Sequence, residues 1–389
     1  MKTRLRALDL LRFVAVTSVV LTHTEDIAEG VCGPTVAFIS RMLHHGYVGV
    51  NLFFVLSGFL VSGLLFTEYQ RNGQIQVGRF LVRRGFKIYP ALYFLLICTF
   101  FYEFVVSPRF GGSRPTPIQN YLAEVLFVQN YFPGVWAQNW SLAVEEHFYL
   151  SFPVVLVALA AANQSIVNPF RLLPLLFLAV ATTTLILIII FSYMPGSQEA
   201  GTVMHTFSLT HIRIDEIFFG ALIAYYYHFE PDKLSSFKKY PLAWLVLAAF
   251  CFWLYFGTYF IPIAGLAGSK IIALPFGIIL LVSIYSPLLE SFAGTYPGRF
   301  MSYLGKHSYS IYIWHRAVLS TTQKAFAESD VSYGRSLFVN LTYIVLSFAV
   351  GILMAKLIEF PALRLRERFF KLGGKEFDRG ASAVAAQTA

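Results

Sequence analysis

The sequence predicts an all-α integral membrane protein, a bundle of about 10 transmembrane helices with both termini cytoplasmic. Three observations carry that prediction. Of 389 residues, 57% are hydrophobic and only 13% charged, where a soluble domain has roughly 25% charged, and the mean hydropathy is +0.62. Apolar runs recur along the chain at about the 20-residue length that a bilayer demands of a helix. The basic residues are shared unequally between alternate loops, which fixes an orientation. A formal charge of +9 would suggest nucleic acid in a soluble protein. Here it reflects that asymmetry, and no nucleic-acid partner is expected.

In order, the runs cover residues 8–27, 47–67, 86–106, 146–162, 171–192, 213–229, 241–259, 269–286, 301–320 and 338–360. The first follows a basic start like that of a signal peptide, but has no small-x-small cleavage site and is expected to be retained. The second is punctuated by Gly49, Ser57, Gly58 and Gly63, small residues that let helices approach closely. The third is preceded by a basic stretch, the fourth is entered through "NWSLAVEEHF", and the fifth is a clear run. The sixth opens on "HIRIDE", the eighth carries Pro275, and the ninth reads "GKHSYSIYIWHRAVL". Arg4, Arg6, Arg12, Arg79, Arg83, Arg84, Lys87, Lys233, Lys238, Lys239, Lys306 and the C-terminal Arg364, Arg366 and Arg368 all fall at one set of ends, the cytoplasmic set by the positive-inside rule. Segments of about 28–46 and 107–145 then lie outside. Residues 1–370 form the membrane domain, and 371–389 a polar, disordered cytoplasmic tail. Cys32, Cys98 and Cys251 are scattered, with neither a disulfide framework nor metal-ligand spacing. No metal is expected.

Ionisable side chains inside such runs are the candidates for chemistry. Arg12 and His23 lie eleven residues apart, about three turns and 16 Å along one helix face. Asp26, at i+3 from His23, can orient its ring or raise its pKa. The bland alternative is an arginine anchoring the inner boundary and a histidine at the outer one. Arg83, Arg84 and Lys87 either anchor topology or clamp a phosphate, to which guanidinium forks are suited. Ser57-Gly58 either packs against a helix or faces a ligand. Glu145 and Glu146 enter a hydrophobic helix at its N-terminal end, where the helix dipole favours acids. Trp136 and Trp140 either belong to an interfacial belt or stack on a sugar. Arg213 and Asp215 can neutralise each other, and His315 reads as a hydrogen-bonded bundle histidine.

Taken in order, these segments resemble the acyltransferase-3 family of bacterial multi-pass membrane O-acyltransferases, over roughly residues 4–365. The likeness rests on the Arg12-x10-His23 pair, "GVNLFFVLSGFL", "FLVRRGFKIYPALY", "WSLAVEEHFYL", "RIDEIFFGAL" and "SYSIYIWH". It implies transfer of an acyl group, commonly acetyl, from cytoplasmic acyl-CoA to a hydroxyl of a carbohydrate or glycosylated acceptor at the outer side. It implies that His23 is the catalytic histidine, a general base or an acyl carrier, with Asp26 or Glu145 holding its tautomer. Arg12, Arg83, Arg84, Lys87 and Ser57 are then expected at the donor, and Trp136 and Trp140 at the acceptor. At His147 the family pattern has glutamine. The 389 residues contain no soluble esterase-like domain of the kind fused to some relatives. The expected location is the bacterial cytoplasmic (inner) membrane, among its lipids, with a homo-oligomer or an envelope-biosynthesis partner possible. A rival reading is a transporter or flippase for a lipid or sugar with His23 and Glu145 as proton relay, and a third is a non-catalytic scaffold. The ordered motifs favour the enzyme.

Overall fold

The computed structural model describes residues 6–24, 45–110, 114–163, 168–194, 205–258, 262–326 and 333–370. Asp26, most of the first outer segment and the 371–389 tail lie outside these residues. Among the described residues the chain is helical, without strands. The principal helices are α1 (Arg6–Leu21), α2 (Val48–Asn72), α3 (Val77–Phe101), α4 (Ile118–Val125), α5 (Trp140–Ala162), α6 (Leu173–Ser192) and α7 (Thr210–Phe229). They continue as α8 (Pro241–Thr258), α9 (Pro262–Tyr285), α10 (Tyr296–Lys306), α11 (Ser308–Ala325), α12 (Tyr333–Met354) and α13 (Phe360–Phe369), with π-helical turns at Tyr102–Val106 and Ala355–Glu359.

A helix lies at each of the ten expected apolar runs. Among the described residues, by length and apolarity alone, five segments suffice to cross a membrane, or up to seven if two sharply bent pairs each count as one span. The ninth expected run is split: α10 ends at Lys306 and α11 begins at Ser308, where His307 turns its Nδ1 back onto the Tyr303 carbonyl. The third run starts at Val77, so its basic residues belong to the helix instead of preceding it. The outward faces are apolar: on α6, Leu175, Leu178, Ile186, Ile189 and Ile190 are all exposed. A surface of that kind suits lipid and makes this a multi-pass membrane protein.

α2 is the axis of the bundle, with 78% of its apolar window buried. Its glycines explain how. A Cβ on Gly58 would lie 1.9 Å from the Ile217 carbonyl oxygen of α7, and one on Gly220 would lie 2.1 Å from the Val55 oxygen of α2. Each helix offers a glycine where the other's backbone arrives, so the two pack backbone to backbone. Gly49 serves α1 in the same way, against the Ala15 oxygen at 2.5 Å. Gly58 is therefore a packing residue, and its neighbour Ser57 is turned the other way.

Candidate active site

Ser57 lines a cavity between α1, α2, α3, α5 and α11, which is walled by Arg12, Arg84, Lys87, Lys306, Glu145, Tyr149, Tyr309 and Tyr312 among others. Four cationic side chains and one acid give the lining a positive balance. Arg12 leans on Asp9 at 3.1 Å, one turn back on α1. Lys87 pairs with Glu359, a fully buried carboxylate in the second π-helical turn that also accepts from the Ser310 hydroxyl. Arg84 lies with its guanidinium carbon 4.6 Å from the centre of the Tyr149 ring, and its Nε is buried without a hydrogen-bond partner. Such an orphaned donor costs free energy unless something in the cavity accepts from it.

The spacing on α3 decides which basic residues reach the cavity. Arg84 and Lys87, at i and i+3, share its face. Arg83 is turned toward α13, 3.5 Å from Glu367, and does not line the cavity. The sequence expectation grouped all three.

Deeper in the cavity, Tyr149 donates its hydroxyl proton to Glu145 Oε2 at 2.9 Å. The Tyr149 oxygen is also in a short hydrogen bond with the Ser57 hydroxyl. Tyr149 has one proton, already given to Glu145, so Ser57 is the donor in that second bond. Glu145 is thus engaged by Tyr149, not by His23. Its neighbour Glu146 accepts from Tyr89 on α3. Toward the other end of the cavity, the Tyr312 hydroxyl donates to the Gln138 carbonyl at 2.6 Å and meets the Ser141 hydroxyl, also at 2.6 Å. Helix α11 carries Ser308, Tyr309 and Tyr312 on the cavity wall, and His315 one turn further along.

His23 is not within a helix. α1 ends at Leu21, where the Thr24 hydroxyl caps the Leu21 carbonyl. The His23 ring folds back so that Nδ1 lies 2.8 Å from the Val19 carbonyl oxygen, and Tyr343 of α12 donates to the Val20 oxygen beside it. The continuous helix expected from Arg12 to His23 therefore stops two residues short of the histidine. Its aromatic neighbour is His315, with ring centres 5.1 Å apart. Trp136 donates its indole N–H to Thr99, while Trp140 packs edge-on against Phe54 and lies 5.4 Å from the Arg213 guanidinium. Neither tryptophan lines the cavity. His147 meets the Thr210 hydroxyl of α7 at 2.6 Å, also away from the cavity. The predicted Arg213–Asp215 pair is not formed: Arg213 binds Glu216 at 3.1 Å, and Asp215 binds Lys270 of α9 at 2.6 Å. Residues two apart on a helix point away from each other and those three apart do not. Among the described residues no group of three or more His, Cys, Asp or Glu is placed to hold a metal ion.

Sequence reasoning missed Lys306, Tyr149, Tyr309 and Tyr312 as cavity residues, and Glu359 as the partner of Lys87. The one available signal was Tyr149 at i+4 from Glu145.

A family profile described as an acyltransferase domain matches residues 5–358. The chain belongs to the acyltransferase-3 family. It is similar to O-acetyltransferase OatA of Staphylococcus aureus, 24% identical, over 94% of this chain and 58% of that protein. It is also similar to peptidoglycan O-acetyltransferase OatA of Listeria monocytogenes, 25% identical, over 81% of this chain and 51% of that protein. The chain thus spans about half the length of the curated relatives it matches. No solved structure matches it.

Proposed function

We propose that this acyltransferase-3 protein moves an acyl group, acetyl in the first instance, from cytoplasmic acyl-CoA to a hydroxyl of an envelope carbohydrate at the outer side, with His23 as general base. In this reading the ten helices cross the bacterial cytoplasmic membrane and both termini face the cytoplasm. Arg12, Arg84, Lys87 and Lys306 meet the phosphates of the donor at the cytoplasmic mouth. The thin pantetheine arm runs past Tyr312 and presents its thioester to the acceptor. The acceptor oxygen bonds to the acyl carbon, its proton passes to His23 Nε2, and the acyl–sulfur bond breaks to release CoA. The name of the Listeria relative supports peptidoglycan as the first acceptor to try.

The observation that carries the donor assignment is Arg84, whose buried Nε has no hydrogen-bond partner on a positively lined cavity wall. A phosphate oxygen is the strongest acceptor a guanidinium can take there. The test is titration of the purified protein with a non-hydrolysable acetyl-CoA analogue. Arg84→Ala should weaken binding by roughly 10- to 100-fold, the equivalent of one charge-assisted hydrogen bond. Arg83→Ala, which removes a residue turned toward Glu367, should change it little. Equal affinities in wild type and Arg84→Ala would return the basic cavity to topology anchoring.

A further inference from the structure

Three tyrosines line the cavity, and each spends its hydroxyl proton inside the wall. Tyr149 gives its proton to Glu145, Tyr309 to the Ile88 carbonyl at 2.6 Å and Tyr312 to the Gln138 carbonyl. A phenol has one proton, so none of the three can donate to a molecule in the cavity. The consequence passes to two serines. The Ser141 hydroxyl meets the Tyr312 oxygen at 2.6 Å, and because Tyr312 already donates to a carbonyl, Ser141 is the donor there. Ser57 stands in the same relation to Tyr149. Each serine therefore gives its only proton to a tyrosine and keeps its lone pairs. Both line the cavity, Ser57 on α2 and Ser141 at the start of α5. The Ser57–Tyr149 chain ends on Glu145, which follows Ser141 by four residues, about 6 Å along α5. The Arg84 guanidinium lies against the Tyr149 ring, so Ser57 is the serine on the cationic side.

We infer that Ser57 and Ser141 recognise the pantetheine arm of the donor through its two amide N–H groups. Ser57 accepts from the amide nearer the phosphates, and Ser141 from the amide next to the thioester. This rests on the donor being acyl-CoA. Such a donor presents phosphate oxygens at one end and then two amide N–H groups about 5 Å apart, one peptide repeat lengthened by a methylene. The cavity presents the complement in the same order: cationic donors first, then two acceptor oxygens about one helical turn apart. An acyl phosphate has no N–H to offer and would leave both serines unused. Two fixed points on a thin, flexible arm also set how far the thioester extends, which charges at the far end cannot do. Holding the reacting carbon at one depth is the kind of positioning on which rate depends.

Ligand and protein can be altered independently. The parent probe is a non-hydrolysable acetyl-CoA analogue. Two derivatives of it each carry an ester oxygen in place of one amide N–H, which removes that donor and keeps the length of the arm. All three are titrated against the purified full chain, with thermal unfolding to show that each variant is folded. Wild type should bind each derivative roughly 3- to 10-fold more weakly than the parent, the worth of one neutral hydrogen bond. In Ser57→Ala the derivative altered nearer the phosphates should bind as well as the parent, while the other keeps its penalty. Ser141→Ala should show the reverse pattern. A serine that merely holds its tyrosine in place would weaken parent and derivatives alike and show no such coupling. Equal penalties in wild type and both variants would overturn the inference. So would a wild type that takes all three ligands equally, a result that needs no variant to fold. In both cases acyl-CoA remains the donor. A wild type that binds none of the three, parent included, removes the donor reading and the serine contacts together.

Discussion

At the scale of single residues, what decides a role is the partner already taken. Glu145 and His23 both titrate, and from sequence either can serve the other. Tyr149 removes that option by giving its only hydroxyl proton to Glu145, which ties the carboxylate to the Ser57 and Arg84 side of the cavity. His23 is held elsewhere, by a backbone carbonyl that fixes its tautomer. The two residues should therefore fail differently. His23→Ala should keep the folded protein and its affinity for an acetyl-CoA analogue, and lose about 10²–10⁴-fold in turnover, the usual worth of a general base. Turnover near the wild-type rate in the purified variant would refute the assignment. The same principle marks the limit of what could be read from the sequence. Arg12, Arg84, Lys87, Ser57 and Glu145 were legible because charge or a small residue inside an apolar run is conspicuous, and all five do converge on one cavity. Tyr149, Tyr309 and Tyr312 were not, because a tyrosine in such a run reads as packing until its hydroxyl has a visible partner. Arg83 was grouped with Arg84, but neighbours on a helix diverge by about 100°, and only the packing of α3 against α13 shows that Arg83 faces Glu367 instead of the cavity.

At the scale of elements, the segment between α3 and α5 shows how a loop can set a helix. Its helix α4 carries Glu124, fully buried. One carboxylate oxygen accepts the Trp136 backbone N–H at 2.5 Å, and the other accepts the Asn139 amide at 2.6 Å. Gln129 then binds the Asn139 carbonyl at 2.7 Å. Asn139 immediately precedes α5, so this carboxylate fixes where Ser141 and Glu145 begin. Burial pushes its pKa from 4.5 up to about 7, against the lowering effect of the bonds from Asn139 and Trp136. The folded state therefore binds this proton more tightly than the unfolded chain does. Stability from this group is greatest below about 4.5, falls as the pH rises through the window to about 7, and is level above it. Glu124→Gln cannot ionise and should flatten that window, with melting temperatures across pH 4.5–8 in detergent as the measurement. An unchanged slope would mean the carboxyl titrates alike folded and unfolded. The apolar runs made the long helices of the bundle legible, but not α4, α13 or the break between α10 and α11. The pairings between helices were not, because they depend on rotation about each axis, as the exchange of Asp215 for Glu216 as the partner of Arg213 shows.

At the scale of the molecule, the cavity and the histidine pair belong to different levels of the bundle. Ser308, Tyr309 and Tyr312 follow α11 along the cavity, and His315 stands beyond the Tyr312–Ser141–Gln138 contact. In the proposed reaction the two levels correspond to two compartments, donor entering from one and acceptor from the other. A transporter with the same charges needs both levels as well, but needs no covalent step. Sealed vesicles holding the protein in one orientation separate the two. Acetyl-CoA is supplied on the side of the Arg84 and Lys87 mouth, and soluble peptidoglycan fragments on the opposite side. A transferase releases one free CoA thiol on the donor side for each acetyl ester that appears on the opposite side, and reversing the two substrates should stop the reaction. Arg84→Ala should raise the acetyl-CoA concentration needed, while His23→Ala should stop ester formation at any concentration, because one residue serves binding and the other the chemical step. Passage of unmodified fragments across the membrane with no thiol released would instead establish the transporter, and the role given to His23 would fall with the acyl transfer it serves.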